Sequence, residues 1–273
     1  MGPGRIQRYS LEIILLLASL VILIPIAIMV LGSLKSPLEA SHFNLSLPSE
    51  WHFDNYATVF HSGGMGRAFK NSLIIAFFGV CLTVVFAAMC SFTIARRTSR
   101  YTNILFIVVL LGMIAPFSVV PTISLMQMMQ LSGTYASVIF IYIGINVSYS
   151  VFIFTGFIRS VPRELDEAAI VDGCGPYRMF FAIILPLLQP VLVTNIIITT
   201  MAIWNEFMIP LYFFNTAAKW TLPLTVYNFY GQYAGDWNLV FADLVITIVP
   251  IVIVYLLGQK YIVSGMTSGA VKG

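Results

Sequence analysis

The residues with the most chemical content lie together, between Ser160 and Arg178. Their order reads as a short helix. Ser160 can cap it, Pro162 falls in its first turn, and Glu164, Asp166 and Glu167 complement the positive end of its dipole. Gly173 is placed to end the helix, because a left-handed residue after a C-terminus is cheapest as glycine. Pro176 then starts a second helix that runs into an apolar stretch. Leu165, Ala168, Ala169 and Asp172 share one face of the first helix at i, i+3, i+4 and i+7. A face of such small side chains allows close docking into a groove on another protein. The chemistry is recognition, not bond-making. The competing reading is a short surface helix between two membrane spans.

Other reactive groups are sparse. Glu206 and Asp243 are carboxylates close to the outer ends of apolar segments. A membrane carboxylate is a functional candidate. Water reaches that depth, however, so hydration or helix packing is the favoured reading of both, ahead of a role in the substrate path. His42, His52 and His61 are too widely spaced for one helix face and read as surface residues. Cys81, Cys90 and Cys174 form neither a metal spacing nor a disulfide framework. Asn44-Leu45-Ser46 fits a glycosylation sequon, which matters only in a eukaryotic secretory setting. G-x-x-x-x-G-K-[ST], H-E-x-x-H and G-x-S-x-G are all missing, so the sequence offers no phosphate cradle, no zincin pair and no nucleophile elbow. The expectation is a chain with no catalytic residues, no metal and no cofactor of its own.

The elements that must hold these residues follow from composition. Of 273 residues, 59% are hydrophobic and only 9% charged, with a mean hydropathy of +0.92. A soluble domain carries roughly 25% charged residues. A chain this apolar cannot cover a wet surface, which excludes a soluble enzyme, a nucleic-acid binder and a disordered linker. The net charge of +3 is too small to imply an acidic partner. A spanning helix needs about 20 mostly apolar residues. Six segments qualify: Leu11–Leu34, Ser72–Ala95, Ile104–Met128, Tyr135–Ile158, Ile183–Phe207 and Leu239–Ile262. None alternates as a barrel strand does. The first is too long for a signal peptide and lacks a cleavage site after it. With the N-terminus inside, 10 of the 14 Lys and Arg fall on the inner side and 4 on the outer, so both termini are expected in the cytoplasm.

Two outer connections are long, about 35–71 and 208–238. They hold Trp51, Phe53 and Tyr56 in the first, and Tyr212, Phe213, Phe214, Trp220, Tyr227, Phe229, Tyr230, Tyr233 and Trp237 in the second. The aromatics suit a headgroup belt, or a surface that meets a carbohydrate or its carrier. Gly79, Thr83, Ala87, Ser91 and Ala95 make a small-residue stripe for helix packing. Pro25, Pro116, Pro121, Pro186, Pro190, Pro210 and Pro250 lie within or beside the spans and are expected to kink them.

One pattern ties the inner loop to a known family. Glu167-Ala168-Ala169, three residues, Gly173, nine residues, Ile183, one residue and Leu185-Pro186 match E-A-A-x3-G-x9-I-x-L-P, the EAA signature of ABC importer permeases. Chance would produce it on the order of 10⁻⁸ per start. Asn71-Ser72-Leu73, Trp204-Asn205-Glu206-Phe207 with Pro210-Leu211, and Asp236-Trp237-Asn238 resemble carbohydrate permeases of that family. The end, Gly265-Met266-Thr267-Ser268-Gly269-Ala270-Val271-Lys272-Gly273, resembles the maltose-type second permease subunit, with Met266 and Ser268 in place of the commoner Leu and Ala.

The resemblance implies an all-α type I importer fold with six transmembrane helices. Residues 1–67 would hold the first helix and outer loop, 68–262 the transmembrane core with its coupling loop at 159–181, and 263–273 a cytoplasmic tail. It implies a permease subunit for a di- or oligosaccharide in a bacterial or archaeal cytoplasmic membrane. Its partners would be a second homologous permease, two ATPase subunits carrying ATP and Mg, and an extracytoplasmic sugar-binding protein; no nucleic acid takes part. Glu164, Glu167, Ala168, Ala169, Asp172 and Gly173 would couple to the ATPase, and Gly265, Thr267, Gly269 and Lys272 would contact it from the tail. Asn205, Glu206 and Asn228 are the candidates for the sugar path. The rivals are a glycerol-phosphate or polyol permease and, in another class, a stand-alone secondary carrier. The latter would need mid-membrane carboxylates and an inverted repeat, and the sequence offers neither.

Overall fold

A computed structural model describes residues 5–230 and 236–270, with side chains described for 9–230 and 236–261. The long helices are α1 (Arg5–Gly32), α4 (Met65–Arg96), α7 (Tyr135–Ser160) and α12 (Trp237–Ala270). Between them lie α2 (Pro37–Ala40), α3 (Asp54–Ser62), α5 (Arg100–Ile114), α6 (Val119–Met128), α8 (Glu164–Val171), α9 (Pro176–Leu187), α10 (Gln189–Asn205) and α11 (Met208–Phe213). Among the described residues, four helices are long and apolar enough to cross a membrane, and a fifth span results if the bent pair α9–α10 counts as one. The apolar window of α1 buries nothing within the chain. A helix apolar on all sides and left uncovered has lipid or another protein as its surroundings.

The expected third span, Ile104–Met128, is two shorter helices. Pro116 explains the break: it supplies no N–H and pushes the residue before it out of the helical region. Ala115 is accordingly extended, with φ −65° and ψ 128°. The fifth span is also interrupted, bending by 78° between α9 and α10. The second begins earlier than expected, at Met65, and the sixth continues to Ala270.

The chain forms two compact units, Met1–Ala68 with Leu222–Pro250, and Phe69–Thr221 with Ile251–Gly273. In the first, a buried Lys35 gathers the loop around it. Its Nζ donates to Asn44 O at 3.1 Å, Asn44 Oδ1 at 2.8 Å and Ser46 Oγ at 3.2 Å. The Ser46 hydroxyl also donates to Asn44 Oδ1 at 2.6 Å. The apparent sequon is thus a local turn clamp. Asn55 Nδ2 donates to Ser33 O and Lys35 O, and its Oδ1 accepts from Asn238 Nδ2 at 2.8 Å. A Cβ on Gly32 would collide with the Phe241 ring, so α1 and α12 approach closely at that point. Phe43 packs edge-on against Trp237 at 4.8 Å.

In the second unit the stripe Gly79, Thr83, Ala87, Ser91 and Ala95 is buried throughout. The Ser91 hydroxyl donates to Val151 O of α7 at 3.1 Å, so this face packs within the chain. Ser150 of α7 donates to Asn195 Oδ1 of α10 at 3.1 Å. Asn71 lies inside α4 rather than ahead of it. Its Nδ2 donates to Ala218 O at 3.0 Å and Trp220 O at 2.9 Å, while its Oδ1 accepts from the Tyr135 hydroxyl at 2.9 Å. One buried amide therefore fixes the 218–220 segment and the start of α7.

Candidate functional site

Helix α8 ends as expected. Gly173 has φ +72°. The Gly173 N–H bonds Ile170 O at 3.0 Å and the Cys174 N–H bonds Ala169 O at 2.9 Å. This pair of bonds is a Schellman closure, which satisfies carbonyls left open at the helix end. The start of α8 corrects the expectation. Ser160 is the last residue of α7, with its hydroxyl on Phe157 O at 2.8 Å, and caps nothing downstream. Pro162 is the reason: it holds Val161 extended at ψ 127°, which stops α7 there. Pro162 itself precedes α8 instead of lying in its first turn. The capping position is Arg163, whose side chain makes no cap bond. Glu164, Asp166 and Glu167 still occupy the first turn, where they complement the open N–H groups.

Of the expected face of α8, Leu165, Ala168 and Asp172 are exposed and Ala169 is buried. Glu164, Glu167, Ala168 and Val171 are exposed at i, i+3, i+4 and i+7, with Leu165, Ile170 and Asp172 exposed beside them. Ala169 is only 3% exposed and packs against its own chain. Of the two alanines, Ala168 alone is exposed. The inward side holds Ala169 and the half-buried Asp166. Asp166 Oδ2 lies 2.6 Å from Nε of Arg96, the last residue of α4. Arg96 Nη1 also donates to Val161 O at 3.1 Å. The sequence reading missed this pair, because no local signal links residues so far apart.

Past Gly175, Pro176 opens α9 as expected. A π-turn occupies Phe180–Ile184, closed by the Leu185 N–H on Phe180 O. The widened turn makes room for the ring of Pro186, which would otherwise meet the carbonyl one turn back. Pro190 begins α10 and cannot continue α9, so the chain turns at Leu188, whose side chain is fully buried. Ile183, Leu185 and Pro186 of the motif therefore build an elbow between the α8 loop and the following apolar helix. Phe180 packs on Phe92 of α4 with ring centroids 5.5 Å apart.

The other candidates fall elsewhere. Glu206 Oε1 accepts the N–H groups of Met208 at 2.7 Å and Ile209 at 3.2 Å, so it caps α11. Asn205 next to it is exposed. Asn228 belongs to the other unit, where its Nδ2 donates to Gly63 O at 3.0 Å. Asp243, expected within reach of water, is fully buried within the chain, beside Thr225. Gly265, Thr267 and Gly269 continue α12 as helix, and Lys272 lies outside the described residues. Among the loop aromatics Phe213, Phe214 and Phe229 are buried, Tyr212, Tyr227 and Tyr230 are exposed, and Tyr233 lies outside the described residues.

Comparison with known proteins places this architecture. Residues 79–268 match the family described as binding-protein-dependent transport system inner membrane component. The chain is 34% identical to a probable starch degradation products transport system permease protein, AmyC, of Thermoanaerobacterium thermosulfurigenes, covering 100% of both chains. It is 35% identical to the multiple sugar-binding transport system permease protein MsmG of Streptococcus mutans, covering 98% of each. It is 34% identical to the melibiose/raffinose/stachyose import permease protein MelC of Bacillus subtilis, covering 97% of this chain and 98% of that one. Its fold matches a chain of a bacterial ABC transporter involved in import of the acidic polysaccharide alginate, at a TM-score of 0.83 and 20% identity, covering 94% of this chain and 96% of that one. The chain is a multi-pass membrane protein of the binding-protein-dependent transport system inner membrane component family, the permeases of ABC importers.

Proposed function

We propose that this chain is one of two permease subunits of an ATP-driven importer for a di- or oligosaccharide, and that α8 is its docking point for a cytoplasmic ATPase subunit. The observation that carries the substrate class is full-length similarity to permeases named for starch products, multiple sugars and raffinose-type sugars. The docking role is supported by the exposed stripe Glu164, Glu167, Ala168 and Val171 on a helix closed by Gly173. The whole assembly would hold a second, homologous permease, two ATPase subunits that carry ATP and Mg, and an extracytoplasmic sugar-binding protein. A binding-protein partner is supported by the related alginate transporter, solved in complex with a pentasaccharide-bound periplasmic protein.

In this reading six segments cross the membrane, with α5 and α6 together as one broken crossing and both termini in the cytoplasm. Closure of the ATPase dimer on ATP pulls α8. Gly175 and Pro176 pass the displacement to α9, and the Pro186–Pro190 elbow turns it into a movement of α10. The path then opens to the outside and receives sugar from the binding protein. Glu164, Glu167 and Asp172 offer carboxylates to basic groups on the ATPase. Ala168 permits close approach. The end of α12, with Gly265, Thr267, Gly269 and Lys272, reaches the same partner. Asn205, Glu206 and Asn228 contribute to the sugar path or its outer rim.

The test is sugar-dependent ATP hydrolysis by the reconstituted four-component complex against raffinose, stachyose, maltotriose and an arabino-oligosaccharide. Stimulation by one of these identifies the substrate class. An assembled complex that none of them stimulates would overturn the carbohydrate assignment, and failure to assemble with any ATPase would overturn the importer role.

A further inference from the structure

We propose that Arg96 and Asp166 form a positioning pair that makes the end of α4 move as one body with α8 during transport. The proposal rests on α8 being the ATPase docking helix. Covalently, α8 is joined only to α7 before it and α9 after it. Helix α4 is remote in sequence, yet its last side chain reaches into this loop. Arg96 Nε lies 2.6 Å from Asp166 Oδ2 and Arg96 Nη1 bonds Val161 O. The two side chains are 10% and 14% exposed, so this is a largely desolvated pair, in which either charge alone would be left without compensation. Among the described residues it is the one ion pair that joins α8 to another helix.

Its placement separates it from docking. Asp166 faces inward with Ala169, whereas Glu164, Glu167, Ala168 and Val171 face out. A partner can therefore grip α8 without competing for Asp166. The neighbouring Phe92–Phe180 contact also joins α4 to this region. Ring contacts tolerate sliding; the close ion pair, beside the Arg96 Nη1 bond to Val161 O, ties the end of α4 to this loop at two points. Displacement of α8 thus reaches α4 directly as well as reaching α10 through the elbow.

The experiment uses the full chain in its reconstituted complex, with whichever sugar of the panel stimulates hydrolysis. Arg96→Gln and Asp166→Asn are each expected to lower sugar imported per ATP hydrolysed by about tenfold. ATPase copurification and sugar-stimulated hydrolysis should persist. The double variant should be no worse than either single one, because one unit has been removed. Unchanged import per ATP in the single variants, or losses that multiply in the double, would overturn the pair. If the single variants do not assemble, the apolar pair Arg96→Met with Asp166→Leu takes their place. Assembly with low import per ATP supports the proposal; assembly with full import, or no assembly, overturns it. A wild-type complex that binds no ATPase is a failure of the docking assignment instead, read before any variant is compared.

Discussion

At Gly173 the backbone alone sets the requirement. Its φ is +72°, and a Cβ there would meet nothing within 4 Å. The demand for glycine is therefore conformational, not steric crowding from neighbours. A β-branched residue in this region costs about 1–2 kcal/mol, while Asn tolerates it better. Gly173→Val should lower import several-fold with insertion intact, and Gly173→Asn should retain most of it. Equal loss in both would point to the missing side chain as a contact surface rather than to the turn. The two alanines separate in the same way. Ala168→Leu should leave the chain as stable as wild type but reduce ATPase copurification. Ala169→Leu should strain the seat of α8 by about 1–3 kcal/mol, as overpacking does, and lower the melting temperature of the extracted protein. Gly173 was legible in the sequence because few residue types can end a helix this way. Ala169 facing inward and Asp166 meeting Arg96 were not, since both depend on what α8 rests against.

At the scale of elements, proline decides where the apolar stretches become one helix or two. Hydropathy found the apolar segments, and the described helices occupy them. It could not show that Ile104–Met128 breaks near Pro116 or that Ile183–Phe207 is bent at Leu188, because a break leaves hydropathy unchanged. Prolines in spans are often tolerated as mild kinks, so their presence alone does not fix an angle. The 78° elbow has two of them, Pro186 and Pro190, on either side of Leu188. Pro190→Ala restores an N–H and removes a penalty of roughly 3 kcal/mol against continuing the helix. It should draw α9 and α10 toward one line and cut import by an order of magnitude with the amount of complex unchanged. Spin labels on the two helices would report the angle, and a retained bend with full import would remove the elbow from the mechanism. Asn71 shows the opposite limit of sequence reading. It looked like a residue ahead of a span, but its amide holds Ala218, Trp220 and Tyr135 together. Asn71→Ala should cost about 1–3 kcal/mol for buried groups left unpaired, read as a lower melting temperature.

Across the whole molecule, the end of α12 offers the cleanest separation of fold from coupling. The Thr194 hydroxyl of α10 donates to Tyr261 O at 2.9 Å. Gly258 faces Ile197 so closely that a Cβ would stand 2.7 Å from its Cδ1. These contacts hold α12 to α10 up to Tyr261. A chain that stops after Ile262 keeps both of them and loses only the helical extension with Gly265, Thr267 and Gly269, and the residues beyond. It should insert, fold and pair with its partner permease as the full chain does. Sugar-stimulated ATP hydrolysis in the reconstituted complex should nonetheless fall several-fold, because α8 would then be the only part of this chain gripping its ATPase. Measuring that hydrolysis beside the melting temperature of the same preparation separates the two effects. Full stimulation after truncation would confine the contact to α8 and make the extension dispensable for coupling. Reduced stimulation at an unchanged melting temperature would give this subunit two grips on its ATPase, one at the docking helix and one at the end of its last span.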